Sequence, residues 1–184
     1  MLADVTGDVL EIGAGTGANL PHYRRAERVV LTEPDAAMRR YLAERLNRCP
    51  APVEVVAAPA EELPFPDHSF DAVVCTLVLC SVDDPARAIA EMRRVLRPDG
   101  RLVFLEHVAG QGRRLRRQER LDPVWNRLFA GCHLTRDTVQ SLKDAGFAVE
   151  ELRTLDMTPK VDPSAPLVLG TARPEASANT PPSA

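Results

Sequence analysis

Short apolar runs punctuate the chain, and between them apolar residues recur at helical spacing. Residues 9–12, 29–32, 53–57, 71–76 and 101–107 read as strands. The fourth run is apolar almost throughout, as a central strand covered on both faces must be. Pro34 stops the second strand. Asp35 can cap a helix whose inner stripe is Met38, Leu42 and Leu46, and Pro50-Ala-Pro52 breaks it. Residues 60–71 form a polar loop with two prolines and apolar Leu63 and Phe65. Pro85 opens a second helix with Ile89, Met92, Val95 and Leu96 inward and Arg93, Arg94 and Arg97 outward, and Pro98-Asp-Gly100 turns the chain. A later helix runs from Thr135 to about Asp144 and ends at Gly146. Residues 147–152 and 166–170 are two late strands, expected to pair as an antiparallel hairpin at the sheet edge. Strands alternating with helices predict an α/β fold with a parallel, doubly wound sheet.

The first apolar run ends in Gly13, Gly15 and Gly17, which reads as a strand turning sharply into the start of a helix. Glycine permits backbone angles that a side chain forbids and lets a ligand approach the main chain. At the carboxyl end of a strand, such a turn stands at the crevice of an open α/β sheet. Three readings remain at this point. One is a tight turn without a ligand. Another is Gly13-x-Gly15-x-x-Ala18, a dinucleotide fingerprint and thus a nicotinamide oxidoreductase. The third is Glu11-x-Gly13-x-Gly15-x-Gly17. Glu33 stands at the end of the second strand, about twenty residues on, where a carboxylate can accept from two vicinal ribose hydroxyls.

Composition narrows the class. The chain has 184 residues, 45% hydrophobic and 27% charged, enough for one soluble domain with a sizeable core. A net charge of −3 and 4% aromatic content argue against nucleic acid as a partner. Cys49, Cys75, Cys80 and Cys132 lack metal-binding spacing and read as reduced thiols of a cytoplasmic protein, with Cys75 and Cys80 as small core residues. The scattered histidines give no metal constellation. The apolar run 72–82 is too short to span a bilayer, and no signal peptide is evident. Residues from about Arg173 are rich in Pro, Ser and Ala, which predicts a domain over 1–172 and a disordered tail over 173–184. Arg113, Arg114, Arg116, Arg117 and Arg120 read as a solvated helix face or as a contact for an anionic substrate or membrane surface. Trp125, Leu128, Phe129 and Cys132 read as a cover for a cleft or as core.

The motifs then combine. Glu11-x-Gly13-x-Gly15-x-Gly17, Leu63-Pro-Phe, Ser69-Phe-Asp-Ala-Val and Glu91-Met-Arg-Arg-Val-Leu-Arg-Pro-Asp-Gly-Arg-Leu resemble the class I S-adenosylmethionine-dependent methyltransferases, near the ubiquinone and phospholipid group. Val73-Val-Cys-Thr-Leu-Val-Leu-Cys-Ser-Val82, Glu106-His-Val108, Trp125 and Gly131-Cys-His-Leu-Thr135 resemble, more narrowly, the branch that includes mammalian alkyl-thiol methyltransferases. The resemblance implies a Rossmann-like, mostly parallel seven-stranded sheet of order 3-2-1-4-5-7-6, the last strand antiparallel, with helices on both faces. It implies S-adenosylmethionine as cofactor, S-adenosylhomocysteine as product and a small-molecule acceptor: a thiol, a lipid amine or a quinone-like ring. The amino-terminal helices that usually precede the first strand are missing, which implies a truncated start, an open site or a non-catalytic cofactor-binding protein.

By the same resemblance, Gly13, Ala14, Gly15 and Gly17 would lie against the methionine part of the cofactor, and Glu11 would orient its amino group. Glu33 would hold the ribose, and Pro34 and Met38 would line the adenine pocket. Ala60 and Glu61 would flank the adenine edge. Cys75, Thr76 and Leu77 would pass beneath the sulfonium. Pro59 departs from the aspartate that many relatives place for the adenine amino group. The implied reaction is a direct displacement on an activated methyl, in which alignment and desolvation do most of the work. An acceptor that must lose a proton benefits from a base. His107 is that candidate, while Asp83 and Asp84 read as helix-capping acids.

Overall fold

The computed structural model describes residues 1–129, 131–155 and 163–175. Seven strands form one sheet of order β3-β2-β1-β4-β5-β7-β6. They are β1 Thr6–Ile12, β2 Arg25–Thr32, β3 Val53–Val56, β4 Phe70–Thr76, β5 Leu96–His107, β6 Phe147–Leu155 and β7 Leu167–Pro174. The first five pair in parallel, and β7 lies antiparallel to both β5 and β6. The late strands therefore pair as expected, with β6 at the edge.

The period-2 alternation of the central strands feeds two cores. Leu10, Ile12, Val73, Cys75, Leu102 and Phe104 pack with Ile89, Met92 and Val95 of α2 (Pro85–Val95) and Leu142 of α4 (Thr138–Asp144). Val9, Val29, Leu31, Val74 and Val103 turn the other way, onto Leu20, Tyr23 and Leu42 of α1 (Ala36–Ala43). The remaining helix, α3, covers Arg113–Leu128. Asp35 and Asp84 cap α1 and α2 by accepting from Met38 N and Arg87 N. Burying two faces of a sheet this way contributes roughly 1.5–3 kcal/mol per large apolar side chain.

Several expectations are corrected. No α-helix follows the glycines. Gly13, Gly15 and Gly17 all have positive φ, and only a 3-10 turn, Leu20–His22, forms before β2. A left-handed residue at Gly17 sits where a first helical turn would need right-handed angles. The stripe of α1 also fails. Leu42 is buried, Met38 is 43% exposed, and Leu46 lies beyond the helix in a 3-10 turn. Pro98–Gly100 does not form a turn ahead of the fifth strand but lies within it. The β4–β5 register jumps from Phe70↔Leu96 to Ala72↔Arg101, and the segment bulges within β5. Arg94 does not simply point outward. It holds Glu91, Asp67 and the carbonyls of Leu63 and Phe65, pinning the 60–71 loop. The fourth helix starts at Thr138, capped by Asp137 rather than opened at Thr135. Finally, Arg173 and Pro174 belong to β7, where they pair with Ala148 and Phe147. Residues 176–184 of the expected tail lie outside the described residues.

Candidate active site

Strand order reverses between β1 and β4, so the crevice of this sheet opens at their carboxyl ends. Two loops meet there. The glycine loop leaves β1, tied to β2 by Ala14 N donating to Thr32 O at 2.9 Å and to the segment after α1 by Arg45 Nη1 donating to Thr16 O at 3.0 Å. The glycines differ in what surrounds them. A Cβ on Gly13 would lie 2.6 Å from Val78, and one on Gly17 2.6 Å from Leu20, whereas one on Gly15 would meet nothing within 4 Å. Only Gly15 presents its α-carbon to open space.

Glu33 is nearly buried at the end of β2. Its Oε2 accepts from Gly15 N at 2.8 Å and its Oε1 from Asp35 N at 2.9 Å. The carboxylate thus joins the glycine loop to the cap of α1, and each oxygen keeps acceptor capacity for a hydroxyl. Pro34 and Met38 are exposed beside it, and Arg39 Nη1 donates to the carbonyls of Glu33 and Pro34. Across the crevice, Thr76 is half-buried. Leu77 is 42% exposed with φ +58, an unusual left-handed angle for a branched residue. Exposed Met38 and Leu77 are apolar side chains without a protein cover at the mouth of the crevice.

Beneath the loop, Glu11 is buried and accepts from Tyr23 Oη at 2.6 Å and Asn19 Nδ2 at 2.8 Å. Asn19 also donates to Thr76 Oγ1 at 3.1 Å, so one amide spans both loops. Burial pushes the Glu11 carboxyl up to about 7 despite these two donors. Burial, with the Glu11 charge beside it, raises the Tyr23 phenol as well.

The structure does not bring every expected residue to the crevice. Cys75 points into the core, wholly buried, and its sulfur donates to Glu106 Oε1 at 3.2 Å, because strand alternation turns it onto the α2 face. Ala60 is buried in the same core. Glu61 Oε1 accepts from Asp83 N and Asp84 N at 3.0 and 3.3 Å, so it holds the loop that enters α2.

Glu106 is an acid near the end of β5, and its part is structural. Fully buried, it accepts from Val78 N, Leu79 N and Cys80 N at 2.8, 3.0 and 3.2 Å, holding the loop after β4 at the crevice. His107 follows it at the end of β5, half-buried, with Nδ1 3.6 Å from Cys132 Sγ. Cys80 completes a group of three whose ligand atoms all lie within 4.8 Å of one another. The Cys80 hydrogen bond and the His107 imidazole hold the Cys132 thiol well below its ordinary value against the opposing effect of burial. The sequence held no sign of this group.

A second histidine, His133, stands in the segment after α3. His133 Nδ1 stands 2.9 Å from Asp122 Oδ2, and its Nε2 stands 3.0 Å from Asn126 Nδ2. Asn126 Nδ2 also donates to Gly131 O at 2.7 Å. Both ring nitrogens are engaged, which makes this a latch between α3 and the segment after it. Trp125 and Phe129 stack at 3.9 Å, but Leu128 and Phe129 are 70% and 50% exposed and are not core. Arg113, Arg116, Arg117 and Arg120 form an exposed basic face of α3. No described helix is long and apolar enough to cross a membrane. A cleft of about 600 Å³, lined by Val5, Gly7, Asp71, Asp99 and Arg173 among others, opens at the amino-terminal edge of the strands, away from these groups.

The chain is similar to known proteins. Residues 10–104 match the family described as Methyltransferase domain. The human thiol S-methyltransferase TMT1B is 38% identical over 169 residues, which cover 89% of this chain and 69% of the relative. The human thiol S-methyltransferase TMT1A is 40% identical over 150 residues, 79% of this chain and 62% of its own length. The N-methyltransferase NodS from Bradyrhizobium japonicum WM9, solved in complex with S-adenosylhomocysteine, superposes with a TM-score of 0.70 over 91% of this chain and 78% of that one. Its identity is 18%, a likeness of fold.

Proposed function

This chain belongs to the methyltransferase domain family and is an S-adenosylmethionine-dependent methyltransferase, and from that premise we propose that its acceptor is a small-molecule thiol. The observation that carries the acceptor is the 38% identity to a thiol S-methyltransferase across 89% of the chain, well past the motifs common to cofactor binding.

The crevice between β1 and β4 would hold the cofactor. The Glu33 carboxylate, held between Gly15 N and Asp35 N, would accept from its ribose hydroxyls. Met38 and Pro34 would lie against one side of the adenine, and the backbone at Ala60 and Glu61 would border its edge. Leu77 and Thr76 would underlie the sulfonium. Gly15 leaves room for the methionine part, and the Glu11, Asn19 and Tyr23 network would neutralise its ammonium. The bound cofactor would supply an activated methyl on its sulfonium. His107 would take the proton of an acceptor thiol, so that the thiolate sulfur could bond that methyl while the carbon–sulfonium bond broke and its electron pair left with S-adenosylhomocysteine. The products are a neutral thioether and a neutral leaving group, so the site needs alignment and exclusion of water more than charge stabilisation.

The test is a methyl-transfer assay with labelled S-adenosylmethionine and three acceptors: an alkyl thiol, a phosphatidylethanolamine vesicle and a hydroxylated quinol. A methyl thioether as the main product is expected. Turnover of the amine or the ring without the thiol would reassign the acceptor. Binding of S-adenosylhomocysteine with no turnover of any acceptor would make the chain a cofactor-binding protein.

A further inference from the structure

The geometry points to a metal site of three ligands, Cys80 Sγ, His107 Nδ1 and Cys132 Sγ, suited to a zinc ion. The three residues come from separate elements: the loop after β4, the last residue of β5 and the segment after α3. Their ligand atoms lie within 4.8 Å of one another, and the Cys132 sulfur stands 3.6 Å from His107 Nδ1. Bond lengths of about 2.3 Å to sulfur and about 2.05 Å to nitrogen at a tetrahedral angle put those two atoms roughly 3.5 Å apart. The cluster therefore already has the separation that coordination requires on that edge.

Each ligand is held from outside the cluster. Glu106 fixes the Cys80 backbone through N–H donation at 3.2 Å. His133 N donates to Cys80 O at 2.7 Å, which docks the neighbour of Cys132 on the residue that carries the other sulfur. The Asp122–His133–Asn126 latch ties the same segment to α3. His107 is placed by its β7 partner Leu167. Cys80 and Cys132 are 1% and 6% exposed, so their sulfurs are shielded from bulk solvent while the histidine remains partly open. Two thiolates and an imidazole are a soft donor set that favours zinc over magnesium or calcium. Three protein ligands leave a fourth position open, the pattern of reactive zinc sites rather than closed structural ones.

The site stands on this cluster alone. Its use rests on the thiol reading: an acceptor thiol that took the fourth position would lose its proton to solvent and stay bound as a thiolate, with a lone pair for the methyl carbon. His107 would then serve as a ligand, and no separate base would be needed.

The experiment uses the full chain, stripped with a chelator under reducing, oxygen-free conditions and titrated with cobalt(II). One equivalent should bind, with thiolate-to-cobalt charge transfer and the strong visible bands of a four-coordinate ion, and zinc should displace it. Cys80→Ala and Cys132→Ala should each abolish the charge-transfer band, and Cys49→Ala should leave it unchanged. Far-ultraviolet circular dichroism checks that each variant is folded, and the wild-type titration decides the matter even if one is not. Absence of these bands in the wild type, or their survival in both cluster variants, overturns the site. A Cys80–Cys132 disulfide that forms on air oxidation of a protein taking up no cobalt overturns it too, and makes the pair a redox couple. Cobalt bands without thiol turnover would keep the site and reject the thiol acceptor. Thiol turnover by a protein that binds no cobalt would do the reverse.

Discussion

Gly15 and Glu33 meet through one hydrogen bond, yet their substitution should separate two effects. A side chain at Gly15 enters open space, so Gly15→Arg should leave the fold close to intact apart from the strain of φ +55 while its guanidinium fills the crevice. Calorimetric titration with S-adenosylhomocysteine should show binding lost. Unchanged affinity would move the cofactor away from this loop. Glu33→Ala removes the acceptor proposed for the ribose hydroxyls together with the anchor of Gly15 N and Asp35 N. It should weaken cofactor binding by about 1.5–3 kcal/mol, the range for a hydrogen bond to a charged group. A loss of thermal stability without a loss of affinity would mean that Glu33 only braces the loop. Residue chemistry at this scale was legible in part. The spacing of Glu33 from the glycines marked it, but no spacing could tell that Gly15 alone faces outward, since that depends on Val78 and Leu20 arriving from elsewhere. Met38 was misplaced for the same reason. Helical periodicity marks an apolar face, and it does not distinguish a face awaiting core from one at a crevice.

The loop after β4 is the element on which the site turns, and a single side chain holds it. Removing the Glu106 carboxylate leaves the N–H groups of Val78, Leu79 and Cys80 unpaired in a buried place. Each such group costs about 1–3 kcal/mol. Glu106→Ala should therefore destabilise the fold by several kcal/mol, measured by urea unfolding, while Glu106→Gln keeps an acceptor and should recover much of it. Equal losses in the two variants would deny the loop-holding part. Elements with their own local signals were readable in advance. β4 is a continuous apolar run, and Asp35 and Asp84 precede their helices as capping acids do. The failures sit where tertiary contacts decide. The bulge at Pro98–Gly100 follows from β5 pairing on both sides of a register jump, and the absent helix after Gly17 follows from a left-handed backbone. Cys80, His107 and Cys132 stand 27 and 25 residues apart, since 107 − 80 = 27 and 132 − 107 = 25. They meet only through tertiary contacts: β4 lies beside β5, and His133 N donates to Cys80 O.

Stability of the whole molecule should depend on pH through Glu11. Its carboxyl is raised from 4.5 to about 7 by burial in the folded chain, and unfolding returns it to water. Between those values the folded state holds the proton more tightly, so stability falls as pH rises from about 4.5 to about 7 and then levels. The difference corresponds to about 3 kcal/mol at full extent. Burial raises Glu106 as well and adds a slope of the same sign. Urea midpoints at about pH 5 and about pH 8 should thus differ less in Glu11→Gln than in the wild type, with the Glu106 contribution left over. An identical slope in the two proteins would mean that Glu11 is ionised in the fold throughout. Cofactor binding reads the same proton from the other side. An ammonium seated near Glu11 favours its charged form, so binding near pH 6.5 should release a fraction of a proton, seen as a dependence of the calorimetric heat on the ionisation enthalpy of the buffer. Release in the wild type that disappears in Glu11→Gln would tie the buried acid of β1 to the ligand above it. Release of the same size in both would leave the amino group to another partner, with the fold and the ribose contact unaffected.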